Sequence, residues 1–189
     1  MKKILYFDTE TTGLDPLKNG IIQFSGIIEI DNKVEEEFNF KIRPFETDEI
    51  NSEALEVNNV TKDQLKTFPT AEKSYILIEK LFNTYIDRYD STDKFSPAGY
   101  NVRFDLEFLS KYFTKNNNIY FGSYCNWRSI DALSLLYFLD YIGYLKLENY
   151  KLNTVCDYFK IPIKAHDAMS DIKATRNLII KLKSLLKNI

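Results

Sequence analysis

The chain has 189 residues, 44% of them hydrophobic, which is enough to bury the core of one domain and few for two, so residues 1–189 are expected to form a single domain. The formal net charge of -2 provides no global positive field to gather polyanions, but a cluster of functional acids would itself lower that figure, so a nucleic-acid substrate stays open. Two cysteines, Cys125 and Cys156, each in an apolar segment, speak against a disulfide framework or a zinc site and for buried thiols in a reducing compartment.

The start, Met1-Lys2-Lys3, is followed by only four apolar residues before Asp8, short of the roughly 7 to 15 that a signal peptide needs. Residues 3 to 9 form a nearly continuous apolar run, as a strand covered on both faces does, and Gly13, Asp15-Pro16 and Asn19-Gly20 close it with a turn. A second strand is expected from about Ile21 to Ile30. After the Asp31-Asn32-Lys33 turn, Phe38, Phe40 and Ile42 alternate with Asn39, Lys41 and Arg43 in a half-exposed strand ended by Pro44. The chain thus starts as a three-stranded meander.

The period then changes. Ile76, Ile78, Leu81, Phe82, Tyr85 and Ile86 recur at helical spacings within residues 70 to 88, after a shorter helical piece near Thr61 to Lys66. Short strands fit Phe95 to Tyr100 and Arg128 to Ile130, and helices are expected at roughly 102 to 114, 131 to 142, 152 to 160 and 168 to 187. The longest apolar stretch, Ala132 to Leu145, contains Asp140 and is too short to cross a bilayer, so no membrane role and a cytoplasmic location are expected. Antiparallel strands followed by strands alternating with helices argue for an α/β protein with a mixed sheet flanked by helices.

Side chains two apart on a strand face the same way with origins roughly 6.5 to 7 Å apart, so Asp8 and Glu10 either converge on one cation or mark a strand running out into solvent; Thr9 points the other way. In NVRFDLEFLSKYF, Asp105 shares a helical face with Phe108, Leu109 and Tyr112 at i+3, i+4 and i+7, whereas Glu107 and Lys111 look like an ordinary exposed pair. A first-turn acid gains some 0.3 to 1 kcal/mol from the helix dipole on any face, wet or dry, so the dipole does not explain the apolar one. Asp171 repeats the oddity, heading the face of Thr175, Leu178, Ile179 and Leu182. Inward carboxylates are costly to desolvate, and a bound metal is the simplest compensation; hard oxygen donors select Mg2+ or Mn2+ over zinc. His166, the one histidine, stands five residues before Asp171, where it is either structural or a base for a nearby water.

The strand YFDTETTGL, the segment GYNVRFDLEFL and the run HDAMSDIKAT resemble, in that order, the three exonuclease motifs of the DnaQ-like, or DEDDh, 3′-to-5′ exonucleases, a family that includes the proofreading epsilon subunit of bacterial DNA polymerase III. Weaker matches at INSEALEVNNVTKDQL and LNTVCDYFKI extend the resemblance over most of the chain. A sister group has a tyrosine base four residues before the last acid; that position here is Asp167, so the histidine subgroup is indicated.

The resemblance implies a ribonuclease H-like fold with a mixed five-stranded sheet, three antiparallel strands and then parallel ones. It implies that Asp8, Glu10 and Asp171 hold one metal ion, that Asp8 also touches a second, and that Asp105 supports the second largely through water. Two ions roughly 3.5 to 4 Å apart would activate a water and stabilise the leaving 3′ oxygen, with His166 taking the proton. Thr11, Thr12, Gly13 and Leu14 would meet the terminal nucleotide, Leu14 against its base, and Asn101 and Phe104 would line the strand path, Asn101 being equally suited to cap the following helix. Lys164, Lys173 and Arg176 fit a solvated face better than phosphate contacts. The chain departs from the family at Tyr100, commonly histidine, and at Gln23, commonly an acid.

The wording DTETTGL resembles the DNA-directed branches more than the oligoribonucleases, whose first motif usually carries methionine after the glutamate. Single-stranded DNA 3′ ends are therefore the expected substrate, with an exoribonuclease as the alternative. Epsilon-type subunits carry an extension that binds the polymerase. No counterpart is expected beyond Ile189, so a polymerase partner, if there is one, is expected to dock on the domain surface. A nucleic-acid-binding or metal-binding module without catalysis is the remaining alternative.

Overall fold

The computed structural model describes residues 1–164 and 168–187. Strand β1 (Lys3–Thr11) pairs antiparallel with β2 (Ile21–Ile30), and β2 with β3 (Lys33–Lys41). The β2–β3 connection is a tight two-residue turn in which Asp31 and Asn32 both take positive φ, at 49° and 70°, the conformation that matches strand twist and that Asn and Asp tolerate best after glycine. Two parallel strands, β4 (Ser96–Gly99) and β5 (Ile130–Asp131), complete a five-stranded sheet in the order β3-β2-β1-β4-β5. The mixed sheet expected from the sequence is present.

Seven α-helices occur among the described residues: α1 (Ser52–Val57), α2 (Lys62–Thr67), α3 (Ala71–Tyr85), α4 (Val102–Lys115), α5 (Ala132–Tyr141), α6 (Leu152–Phe159) and α7 (Ala168–Leu186). The alternation along β1 divides the core in two. Leu5 and Phe7 pack with Phe24, Phe82, Leu109 and Phe113 on the α3/α4 side. Ile4 and Tyr6 pack with Ile27, Leu136, Val155 and Leu178 on the side of α5, α6 and α7. Cys125 and Cys156 are buried free thiols.

Four local features differ from what the sequence predicts. Helix α1 was not expected, because its six residues bury only Leu55 and so show no period. Ile76 lies 63% exposed; the buried stripe of α3 runs through Ala71, Ser74, Tyr75, Ile78 and Phe82, so serine completes a stripe in place of isoleucine. Glu107 pairs at 3.0 Å with Arg103, one turn N-terminal, rather than with Lys111. The third strand also starts earlier than its apolar alternation, at Lys33, as an edge carrying exposed charges.

Candidate active site

β1 is the central strand, and its C-terminal end carries the acids. Period two sends Asp8 and Glu10 to the face that α7 covers and Thr9 to the face that α4 covers. Asp105, in the first turn of α4, is 4% exposed and reaches the strand from that second side. Its Oδ1 accepts from the backbone N–H of Thr9 at 2.8 Å and from the Thr9 hydroxyl at 2.7 Å. Asp171, in the first turn of α7, arrives from the other side and shares with Asp8, Tyr100 and Thr175 the wall of a cavity of about 220 Å³.

The four carboxylates act on one another. Burial raises Asp8 well above the usual carboxylate range, and the charges of Asp105, Glu10 and Asp171 raise it further. Burial also pushes Asp105 up to about 7, against the pull of its two bonds from Thr9. Cations bound among hard oxygen donors of this kind would offset both effects, so the donor set fits Mg2+ or Mn2+. Among the described residues no set of three or more histidine, cysteine, aspartate or glutamate side chains forms a ready-made metal cage.

Beside the acids lies a groove of about 370 Å³ whose lining includes Glu10, Thr11, Gly13, Leu14 and Phe104. The turn after β1 shapes it. A Cβ on Gly13 would come within 2.4 Å of the Asn19 side chain, whose Oδ1 accepts from Asp15 N–H at 3.0 Å and whose amide donates to the Glu49 carbonyl at 2.9 Å. The turn therefore needs glycine, and it presents Leu14 83% exposed. Phe104 faces the groove and rests on Phe108 at 4.9 Å between centroids.

Two of the expected substrate-contact residues also have local structural roles. Thr12 is fully buried, its hydroxyl donating to the Glu49 carbonyl at 2.7 Å and accepting from Gly20 N–H at 2.9 Å. Asn101 occupies the N-cap of α4 in a left-handed conformation with no side-chain cap bond, its N–H donating to Asp131 Oδ1 at 2.8 Å. His166 lies outside the described residues. Tyr100, at the position where relatives carry histidine, donates its hydroxyl to the Tyr150 carbonyl.

Other participants escaped the sequence reading. Thr9, expected from the strand period to point away from Asp8 and Glu10, does so and thereby faces α4, whose inward acid is Asp105. Asn58, after α1, donates to the Thr11 carbonyl at 2.9 Å and lines the groove, so the unexpected helix forms its far wall. On the sheet face of Asp8 and Glu10, Gln23 lies opposite Glu10, and Lys41 lies opposite Gln23.

This topology, with acids gathered at the end of the central strand, is that of the ribonuclease H-like nucleases. The RNase_T exonuclease family model matches residues 5–179, and the chain belongs to that family, as the DnaQ-like 3′-to-5′ motifs imply. Similar proteins include the PolC-type DNA polymerase III of Halalkalibacterium halodurans, 31% identical over 95% of this chain and 11% of the polymerase. That of Mycoplasmopsis pulmonis is 29% identical over 98% of this chain and 12% of its own length. The chain therefore spans about a ninth of these curated relatives. Among solved structures, E. coli Exonuclease I in complex with a dT13 oligonucleotide shares the fold, with a TM-score of 0.76 at 21% identity, covering 97% of this chain and 41% of that one. No helix among the described residues is long and apolar enough to cross a membrane.

Proposed function

We propose that the chain is a metal-dependent 3′-to-5′ exonuclease that hydrolyses single-stranded DNA ends to nucleoside 5′-monophosphates. The observation that carries this reading is the burial of Asp8 and Asp105 beside Glu10 and Asp171, whose charges add to that of Asp105 on Asp8, next to a groove lined by Glu10, Leu14 and Phe104. Asp8, Glu10 and Asp171 would hold one ion, and Asp8 with Asp105 the second. Two bound Mg2+ or Mn2+ ions would supply activation of a water and stabilisation of charge on the leaving 3′ oxygen. Leu14 and Phe104 would grip the terminal base, Thr11 and Gly13 would orient its sugar, and His166 would accept the proton of the attacking water. A cytoplasmic location goes with this reading. E. coli Exonuclease I, which shares the fold, has been crystallised with single-stranded DNA in a zinc-bound form, which supports both a single-stranded ligand and a divalent ion here.

The test is incubation with 5′-labelled single-stranded DNA and RNA in Mg2+. Stepwise shortening of DNA, faster than of RNA, is expected. Faster shortening of RNA would turn the reading to an exoribonuclease, and no shortening of either, beside a working control exonuclease, would sink it. The PolC-type relatives support a second reading, in which the chain edits for a DNA polymerase. Association with the replicative polymerase on a sizing column would support that reading, and separate elution at micromolar concentrations would dismiss it.

A further inference from the structure

We infer that the fixed positive charge of Lys41, left uncancelled by Gln23, sets how tightly the acid cluster binds divalent cations. The inference rests on the metal-binding reading of the acids given above.

Glu10, Gln23 and Lys41 are successive cross-strand neighbours on β1, β2 and β3, and they share the sheet face that carries Asp8. Lys41 sits on the edge strand, where a lysine is normally free to extend into water. Here it is held back. Its ammonium donates to the Gln23 side-chain carbonyl and lies 5.7 Å from the centre of the Phe68 ring. Gln23 is itself fixed, its amide donating to Asn39 Oδ1 at 2.9 Å and to Ser25 Oγ at 3.2 Å. Two opposing influences act on the ammonium: burial disfavours its charge, and Glu10 favours it.

A carboxylate at position 23 would pair with Lys41 and cancel its field. The glutamine holds the ammonium by the same carbonyl geometry and cancels nothing. Lys41 therefore acts on Glu10 with its full charge, in competition with any cation that Glu10 would ligate. Two strand spacings separate the Glu10 and Lys41 backbones, about 9.6 Å, at which one charge opposing a divalent ion in a nearly aqueous dielectric changes affinity by about fivefold.

The experiment measures Mn2+ binding to the whole protein by isothermal titration calorimetry at low salt, without substrate. Lys41→Met is expected to bind Mn2+ about three- to tenfold more tightly than wild type, Gln23→Glu to tighten it comparably, and Lys41→Arg to leave it unchanged. The gain should shrink in 0.5 M NaCl, where the Debye length falls to about 4 Å. Position 41 is on an edge strand and Gln23→Glu is nearly isosteric on the next, so these variants keep the fold, which circular dichroism checks. Unchanged affinity in both Lys41→Met and Gln23→Glu overturns the inference, and weaker affinity in Lys41→Met overturns it in favour of a lysine that merely orients Glu10. Failure of the wild type to bind Mn2+ would instead overturn the metal-binding reading itself.

Discussion

Replacing Asp105 by asparagine should stabilise the metal-free protein while removing its activity. Asp105 is 4% exposed, and burial pushes its carboxyl up to about 7 from the usual 3.8. Without divalent ions, the native state holds a proton on this carboxyl between about pH 4 and pH 7 that the unfolded chain releases. Since the native state binds more protons across that window, the free energy of unfolding falls as pH rises through it. At about 1.4 kcal/mol per pH unit the full loss approaches 4 kcal/mol by pH 8. Asp8 is displaced in the same direction, so the decline belongs to the pair and one substitution recovers part of it. Asparagine keeps an Oδ1 that can accept both Thr9 bonds and cannot ionise. In EDTA at pH 8, Asp105→Asn should therefore exceed wild type by about 2 to 4 kcal/mol in urea unfolding. At about 2 to 4 °C per kcal/mol for a chain of this size, its melting temperature should rise by roughly 4 to 16 °C. The difference should vanish near pH 4. Equal or lower stability of the variant at pH 8 would refute the claim that ionised carboxylates are forced together here.

Thr9→Val removes the hydroxyl that helps keep Asp105 acidic; the acid limb of the pH–activity profile should move up by about one pH unit, and an unmoved limb would deny Thr9 that part. His166→Ala should slow turnover by about 10² to 10⁴ with little change in KM, and full activity would remove the base assignment. Leu14→Ala, at an exposed position, should leave stability within about 0.5 kcal/mol of wild type and raise KM for an oligonucleotide roughly tenfold. An unchanged KM would detach Leu14 from the substrate.

The strands and long helices were legible because each carries its own signal within a few residues. β1 and β2 are apolar runs closed by turn residues, and α4 and α7 are stripes whose one incongruous member is an acid. An acid leading an apolar face is a local contradiction that only a tertiary partner resolves, which is why Asp105 and Asp171 could be singled out. The partners themselves were hidden. Thr9 and Asp105 are 96 residues apart, and no periodicity within either segment says that α4 crosses the end of β1. Thr12, in a motif that reads as substrate-facing, turns inward because the Asn19 and Glu49 loops need its hydroxyl and backbone. α1 is too short to show a period, and its contribution to the groove arises wholly from packing.

The acids stand where the strand is least able to yield. Ile4, Leu5, Tyr6 and Phe7 are all nearly inaccessible and anchor β1 in both halves of the core. At about 1.5 to 3 kcal/mol for each large apolar side chain buried, these four outweigh a charge penalty of several kcal/mol at the acids that follow them directly. Ladder pairing to β2 runs through both acids to Glu10 and resumes after a register shift at Thr11, so the backbone that carries the acids is also tied. Repulsion among Asp8, Glu10, Asp105 and Asp171 therefore has no relief in peeling β1 from the sheet. It is left to protons or to cations, and at neutral pH, where protons are scarce, the balance tips to cations.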